Sequence, residues 1–208
     1  MLQDYFFIFR DLNKIEINLA MAYTESKTFD GINFAEEALQ KGEYENCTFR
    51  NCQLPEFDLS GFIFIDCLFE GCDLSMAKLK NTSFRDVTFK NCKQLGLRFD
   101  DCNKMLISFS FENCTLNLSS FYKLKLKGLN IKDTKLHETD FVEADLTNAT
   151  FQHCDLDRAL FENTILEGAD FRTAYNFTID PEINKMKKAR FSSQSLGGLL
   201  TKYNLRID

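Results

Sequence analysis

One large apolar residue recurs at every fifth position through most of this 208-residue chain. A period of five fits neither a lone α-helix, with 3.6 residues per turn, nor a flat strand, in which side chains alternate. It does fit a backbone that turns a corner every five residues and points one large side chain inward on each side. The sequence therefore predicts a solenoid. The first run of these centre positions is Phe29, Phe34, Leu39, Tyr44, Phe49, Leu54, Leu59, Phe64, Phe69, Leu74, Leu79, Phe84 and Phe89.

A second run follows after an irregular stretch. Its centres are Leu116, Phe121, Leu126, Ile131, Leu136, Phe141, Leu146, Phe151, Leu156, Phe161, Leu166 and Phe171. The residues two positions before these centres are mostly small, as expected where a second side chain must fit inside a narrow core. They are Cys114, Ser119, Leu124, Leu129, Thr134, Thr139, Ala144, Ala149, Cys154, Ala159, Thr164 and Ala169.

Turn-forming residues often stand two positions after a centre. Gly and Asn tolerate left-handed backbone angles, and Asp and Asn form local side-chain turns. We therefore expect the chain to turn its corners at Asn46, Asn51, Gly61, Asp66, Gly71, Asn81, Asp86, Asn91, Gly128, Asp133, Asn148, Asn163 and Gly168.

This pattern resembles the motif A(D/N)LXX of the pentapeptide-repeat family. Residues 144–148 (ADLTN) and 169–173 (ADFRT) carry it most clearly. The resemblance covers about residues 27–175 and implies an all-β solenoid, a right-handed quadrilateral β-helix with four pentapeptides per coil. About seven coils would form a rod ~34 Å long at the usual inter-strand spacing.

Three regions are predicted. Residues 1–26 are an N-terminal extension or cap, 27–175 the β-helix, and 176–208 a C-terminal helical cap. The short apolar stretch at 5–9 either covers the open end of the solenoid or, since Met21 directly precedes the repeat, belongs to an over-long start assignment.

The repeat is irregular over residues 93–113. Gln94 and Lys104 occupy centre positions, and the step from Phe109 to Leu116 is seven residues instead of five. We expect a two-residue insertion, which is either a tolerated bulge or a partner contact.

The C-terminal region carries helix signals. Asp180, Pro181 and Glu182 favour a helix start, with a short helix to about residue 188. A later apolar stripe at helical spacing should cover the last coil, either as a cap alone or also as the contact of a homodimer. The stripe consists of Leu196, Leu199, Leu200 and Tyr203.

All eight cysteines lie two positions before a centre, on the inward side. Free cysteine behaves as a small buried apolar residue, and the spacing typical of zinc ligands is missing. We expect structural thiols, no metal and a reducing compartment, the cytoplasm. The cysteines are Cys47, Cys52, Cys67, Cys72, Cys92, Cys102, Cys114 and Cys154.

The sequence shows no catalytic motif: it has no Gly-rich phosphate loop, no GxSxG and no HExxH. His137 and His153 follow centres by one and two positions, so both should point to solvent. We expect a non-enzymatic protein without a cofactor.

The charge pattern is uneven along the rod. The net charge of -6 argues against general binding to nucleic acid or to an anionic membrane. Residues 115–136 carry a net +4, and residues 137–171 carry a net -8. This acidic collar is either a solvated surface or a mimic of DNA, whose charge density it approaches. It consists of Glu138, Asp140, Glu143, Asp145, Asp155, Asp157, Glu162, Glu167 and Asp170.

Within the family, the chain is most similar to the quinolone-resistance (Qnr-type) and microcin-immunity branch, on its pentapeptide rod, irregular middle segment and C-terminal stripe. This resemblance implies a DNA-mimic protein that binds a type II topoisomerase, DNA gyrase in particular, and relieves its poisoning, with a C-terminal element that dimerises. The alternative is a rigid scaffold for another cytoplasmic protein.

Overall fold

A computed structural model describes residues 21–206, which form a parallel β-solenoid. The strands of this part are short because the backbone turns after each of them. They are β1 (Ala22–Glu25), β2 (Thr28–Asp30), β3 (Gly42–Glu45), β4 (Thr48–Arg50), β5 (Ile63–Ile65), β6 (Leu68–Glu70), β7 (Ser83–Arg85), β8 (Val87–Lys90), β9 (Phe109–Glu112), β10 (Asn130–Lys132) and β11 (Thr150–Gln152). The predicted fold class is confirmed. Most of the N-terminal prediction, on residues 1–20, lies outside the described residues.

The strands pair in parallel in two sheets, one ordered β1-β3-β5-β7 and the other β11-β10-β9-β8-β6-β4-β2. Partners such as Phe29 and Phe49 lie 20 residues apart, so one coil contains four five-residue segments. Isolated parallel bridges continue the same register on the other sides of the rod. Seven coils separate the first and last members of one inward column, as predicted: Phe29, Phe49, Phe69, Phe89, Phe111, Ile131, Phe151 and Phe171.

The interior is a continuous apolar column. All 25 predicted centres of the two runs are buried, as are the twelve residues that precede the second-run centres by two positions. Aromatic rings stack from coil to coil; the Phe49 and Phe69 centroids lie 4.6 Å apart with an interplanar angle of 7°. Burying this apolar surface provides the main stabilisation, and each coil contacts only its neighbours.

The corners adopt the backbone conformation that the turn residues predict. Every predicted turn position has a positive φ, from 50° at Asp133 to 73° at Gly128. Leu118 and Met76 also adopt it, with φ of 61° and 59°, although neither is a turn-forming residue. The geometry of the coil therefore overrides local preference at these corners.

The two-residue insertion predicted between Phe109 and Leu116 lies earlier in the chain. Strand β9 pairs Phe109 with Val87 and Phe111 with Phe89, so Phe111 is the centre and Phe109 occupies the preceding inward position. The step from Phe111 to Leu116 is the normal five. The two extra residues lie before Phe109, where Lys104 is exposed and not at a core position.

The solenoid also continues beyond Phe171. Tyr175, Lys185 and Arg190 form bridges to the preceding coil, and Phe191 stacks on Phe171 at 5.2 Å. The short helix predicted for residues 180–188 is wrong, because those residues form turns and a further bridge. Asn184 occupies an inward position there.

The polar Asn184 can replace a small inward residue because its hydrogen bonds are satisfied. Its amide nitrogen donates to the carbonyl oxygen of Phe161 at 2.9 Å, and its side-chain oxygen accepts from the N–H of Thr164 at 2.8 Å. A buried polar group with such partners is tolerated.

Two 3₁₀ helices, Ser193–Leu199 and Thr201–Tyr203, cover the last coil. Ser192 caps the first of them by accepting from the N–H of Gln194 at 3.3 Å. Gly198 lies directly against Phe177, and a Cβ at this position would overlap the Phe177 carbonyl oxygen. Within residues 21–206, no helix is long and apolar enough to cross a bilayer.

Candidate protein-interaction surface

The acidic collar is distributed round the sides of the last coils and does not form one face. Asp140, Asp145 and Asp155 take part in bridges to coils on either side, at three different sides of the rod. Their side chains point outward because each directly precedes an inward centre. The nine carboxylates therefore surround the rod.

Five of the nine collar carboxylates form ion pairs. Glu138, Glu143 and Asp145 pair with bases about one coil away, whereas Asp157 and Asp170 pair with arginines one and two residues along the chain. These pairs neutralise part of the collar. With nitrogen–oxygen distances, they are Glu138–Arg158 (2.9 Å), Glu143–Lys123 (3.4 Å), Asp145–Lys127 (3.5 Å), Asp157–Arg158 (3.3 Å) and Asp170–Arg172 (2.7 Å). A sixth acid, Asp155, is hydrogen-bonded to His137 Nε2 at 2.8 Å.

Three collar acids have neither an ion pair nor a hydrogen bond to a histidine within residues 21–206: Asp140, Glu162 and Glu167. Asp140 bridges to Leu160 of the next coil, so it lies close to Glu162 on the same side. Glu167 follows at the next side of the rod. These three carboxylates are the part of the collar whose charge is free to meet a partner.

Hydrogen bonds lower the pKa of two collar acids, Asp155 and Asp170. The Arg172 guanidinium holds the pKa of Asp170 below its usual range. At Asp155, partial burial acts to raise the pKa, but hydrogen bonds from His137 and Asn176 outweigh it and the pKa is lowered. Asp155 and Asp170 are therefore ionised at neutral pH.

Each of the two histidines lies beside a carboxylate. His153 is exposed, with 56% of its side chain accessible, and its Nδ1 lies 3.1 Å from Asp133 Oδ1. His137 is half-buried beside Asp155. Within residues 21–206, no group of three or more His, Cys, Asp or Glu residues is arranged to hold a metal ion.

The eight cysteines are all buried and free, as predicted. Seven of the eight thiols donate to backbone carbonyl oxygens inside the rod. Cys72 Sγ, for example, lies 3.2 Å from the Phe49 oxygen of the coil before it. Burial raises the pKa of Cys154 and of Cys67 to about 12. Cys67 and Cys154 therefore stay protonated at neutral pH. All eight cysteines act as small core residues.

The predicted C-terminal stripe is divided by the 3₁₀ geometry. Leu199 packs against the core, and Leu200 is half-buried. Leu196 and Tyr203 remain exposed, at 44% and 51%. The Tyr203 hydroxyl donates to Glu182 at 2.7 Å, and Lys202 pairs with Asp180 at 2.8 Å, so the segment is fastened to the last coil.

Known proteins give the same architecture. The pentapeptide repeat region, a family profile, matches residues 42–110, 62–141 and 104–175. The chain belongs to the pentapeptide-repeat family. No curated protein sequence matches it.

Three solved structures similar to this pentapeptide-repeat protein are of QnrB1, described as a plasmid-mediated fluoroquinolone resistance protein. A trypsin-treated variant is 16% identical, covers 90% of this chain and 92% of its own, and gives a TM-score of 0.69. A second trypsin-treated variant is 18% identical, with coverages of 90% and 100% and a TM-score of 0.60. Full-length QnrB1 is 17% identical, with coverages of 88% and 100% and a TM-score of 0.53. These similarities show a shared fold.

The pentapeptide-repeat protein has one further surface that the sequence did not reveal. The inserted residues Met105 and Leu106 are exposed, at 67% and 72%. We name residues 103–107 the bulge. The sequence places the two-residue insertion after Phe109, which leaves Met105 and Leu106 in a regular coil. Their exposure was therefore not predicted.

Proposed function

We propose that this protein is a non-enzymatic binding protein that modulates a type II topoisomerase, DNA gyrase, and protects it from inhibitors. The observation that carries the proposal is the end-to-end match with QnrB1, in which 90% of this chain and 92% of the other superpose. A partner that binds along the QnrB1 rod would find a rod of similar length and cross-section in this protein. The eight free thiols favour a cytoplasmic protein.

The proposed contact consists of three collar acids without an ion pair, Asp140, Glu162 and Glu167. B-DNA carries one charge per ~1.7 Å of axis, which is about three charges over one coil of ~4.8 Å. The unpaired acids Asp140, Glu162 and Glu167 supply three charges over two coils, about half that density. At this contact the three acids take the place of DNA phosphates on a basic DNA-binding surface of the enzyme.

A DNA-supercoiling assay with purified gyrase tests this proposal. We expect the protein to restore supercoiling in the presence of a fluoroquinolone. The variant D140N/E162Q/E167Q should need a concentration at least about tenfold higher, because it loses the unpaired charges without altering the core. The matched variant E37Q/E43Q/E56Q, which changes three carboxylates on the first coils, should behave as the wild type.

No effect of the wild type up to tens of micromolar would contradict the proposal. The protein would then be a rigid scaffold for a different partner, and the acidic collar would be a solvated surface.

The proposal includes a homodimer formed through the exposed part of the C-terminal stripe. Leu196 and Tyr203 are the apolar side chains available for it, since Leu199 already packs on the core. Light scattering should give twice the chain mass for the wild type and the chain mass for L196E/Y203S. The exposed variant K187E serves as the control. A monomeric wild type, or a variant that keeps twice the mass, would contradict this interface.

A further inference from the structure

The bulge lies among cations, most of which form no ion pair within residues 21–206. Arg85 lies one coil before it, on β7, and Lys125 and Lys127 lie one coil after it. Within residues 21–206, Arg85, Lys104 and Lys125 form no ion pair, whereas Lys127 pairs with Asp145 at 3.5 Å. This contrasts with the collar, where most charges are paired.

The bulge is held in one conformation. Ser108 N–H donates to the Phe84 carbonyl oxygen at 3.0 Å, and its hydroxyl donates to Asp86 at 2.7 Å. The Asn103 side chain accepts from the N–H of Met105 at 3.0 Å. Leu106 has a φ of 57°, a conformation that a leucine adopts only where its surroundings impose it. Two apolar side chains are thus presented to solvent on a fixed backbone.

A groove begins beside the bulge and runs along the rod. Its first part, about 110 Å³, is lined by Ile107, Leu126 and the two lysines of the next coil. Gly128 also lines two further depressions. One, of about 270 Å³, extends back to residues 86–88 of the preceding coil, and the other, of about 740 Å³, extends over the following coils. The absence of a side chain at Gly128 leaves this path open for an extended chain.

We propose that the basic bulge, namely the bulge with Arg85, Lys125 and Lys127, docks an extended segment of a protein partner that carries both carboxylate and aliphatic side chains. The cations require acidic groups, and Met105 and Leu106 require apolar ones. This inference does not depend on the partner being a topoisomerase.

Other classes of partner fit this surface less well. A nucleic acid supplies phosphates but no aliphatic side chains for Met105 and Leu106. An anionic membrane needs a larger apolar face than two side chains. The net charge of -6 also opposes both, since each is a polyanion. Within residues 21–206, the carboxylates near the bulge offset part of its positive charge but form no ion pair with its cations: Asp86 accepts a hydrogen bond from Ser108, and Asp101 lies at the preceding corner.

Fluorescence anisotropy with defined probes tests the docking. The first probe is a labelled ten-residue peptide of alternating Glu and Leu; others replace Glu by Lys or Leu by Ser. We expect the Glu/Leu peptide to bind, and the substituted peptides to bind at least about tenfold more weakly. Raising the salt concentration should weaken binding, because charge contributes to it.

Variants of the exposed side chains locate the site. M105S/L106S and, separately, K104E/K125E should each weaken Glu/Leu peptide binding at least about tenfold. The control K187E/K188E reverses two exposed charges on the last coil and should leave binding unchanged. Thermal unfolding midpoints equal to that of the wild type would show that the variants fold.

Three results would overturn the inference: no binding of the Glu/Leu peptide, equal binding by the bulge variants, or binding only of a 20-base-pair DNA duplex or of phosphatidylserine vesicles. A gyrase assay that fails while the peptide still binds would remove the proposed function and keep this one.

Discussion

Replacing Phe151 with alanine is expected to lower the free energy of unfolding by about 3–5 kcal/mol. Phe151 is fully buried, and its ring stacks on that of Phe171 at 4.7 Å. It also meets the rings of Phe141 and Phe161 edge-on, at 5.8 and 6.3 Å. The coils above and below are fixed by backbone bonds, so the cavity cannot close by collapse.

Chemical denaturation of F151A against the wild type measures this loss. The control is Q152A, since Gln152 is the exposed neighbour on β11 and should change stability by no more than about 0.5 kcal/mol. A loss below about 1 kcal/mol for F151A would show that Phe151 is not a rung of the inward column.

Replacing Gln94 with leucine is expected to raise the free energy of unfolding by about 2 kcal/mol. Gln94 is fully buried, and neither its side-chain oxygen nor its nitrogen has a hydrogen-bond partner. Its column contains Leu74 in the coil before and Leu116 in the coil after. A leucine fits this column and removes two unsatisfied polar groups, while the backbone N–H keeps its bond to Thr115 at 2.8 Å.

The control for Q94L is Q152L, which makes the same replacement at the exposed residue Gln152. That variant should leave the denaturation midpoint nearly unchanged. If Q94L were less stable than the wild type, Gln94 would have partners that the fold does not show, such as bound water.

The regular coils could be predicted from sequence because each repeats the same spacing of large, small and turn-forming residues. The slip could not be placed, since Phe109 and Phe111 are both aromatic and only strand pairing shows which one is the centre. The last coil was missed because Pro181 and Asn184 hide the repeat. Met186 and Phe191, five residues apart, are the signal that could have found it.

Only part of the charged surface could be predicted from the sequence. Composition reveals the acidic collar, but pairing between coils decides which of its charges are free. Lys123 and Glu143 lie 20 residues apart, as do Glu138 and Arg158, so a spacing of one coil predicts both pairs. The bulge could not be predicted, because only strand pairing shows where the two-residue insertion lies.

Competition between DNA and this protein for gyrase is the most direct test of a DNA-like contact. Fluorescently labelled protein is titrated with purified gyrase, and an unlabelled linear duplex is then added. We predict that the protein binds, that the duplex displaces it, and that D140N/E162Q/E167Q binds more weakly than E37Q/E43Q/E56Q. Binding that the duplex does not disturb, or no binding, would contradict the account.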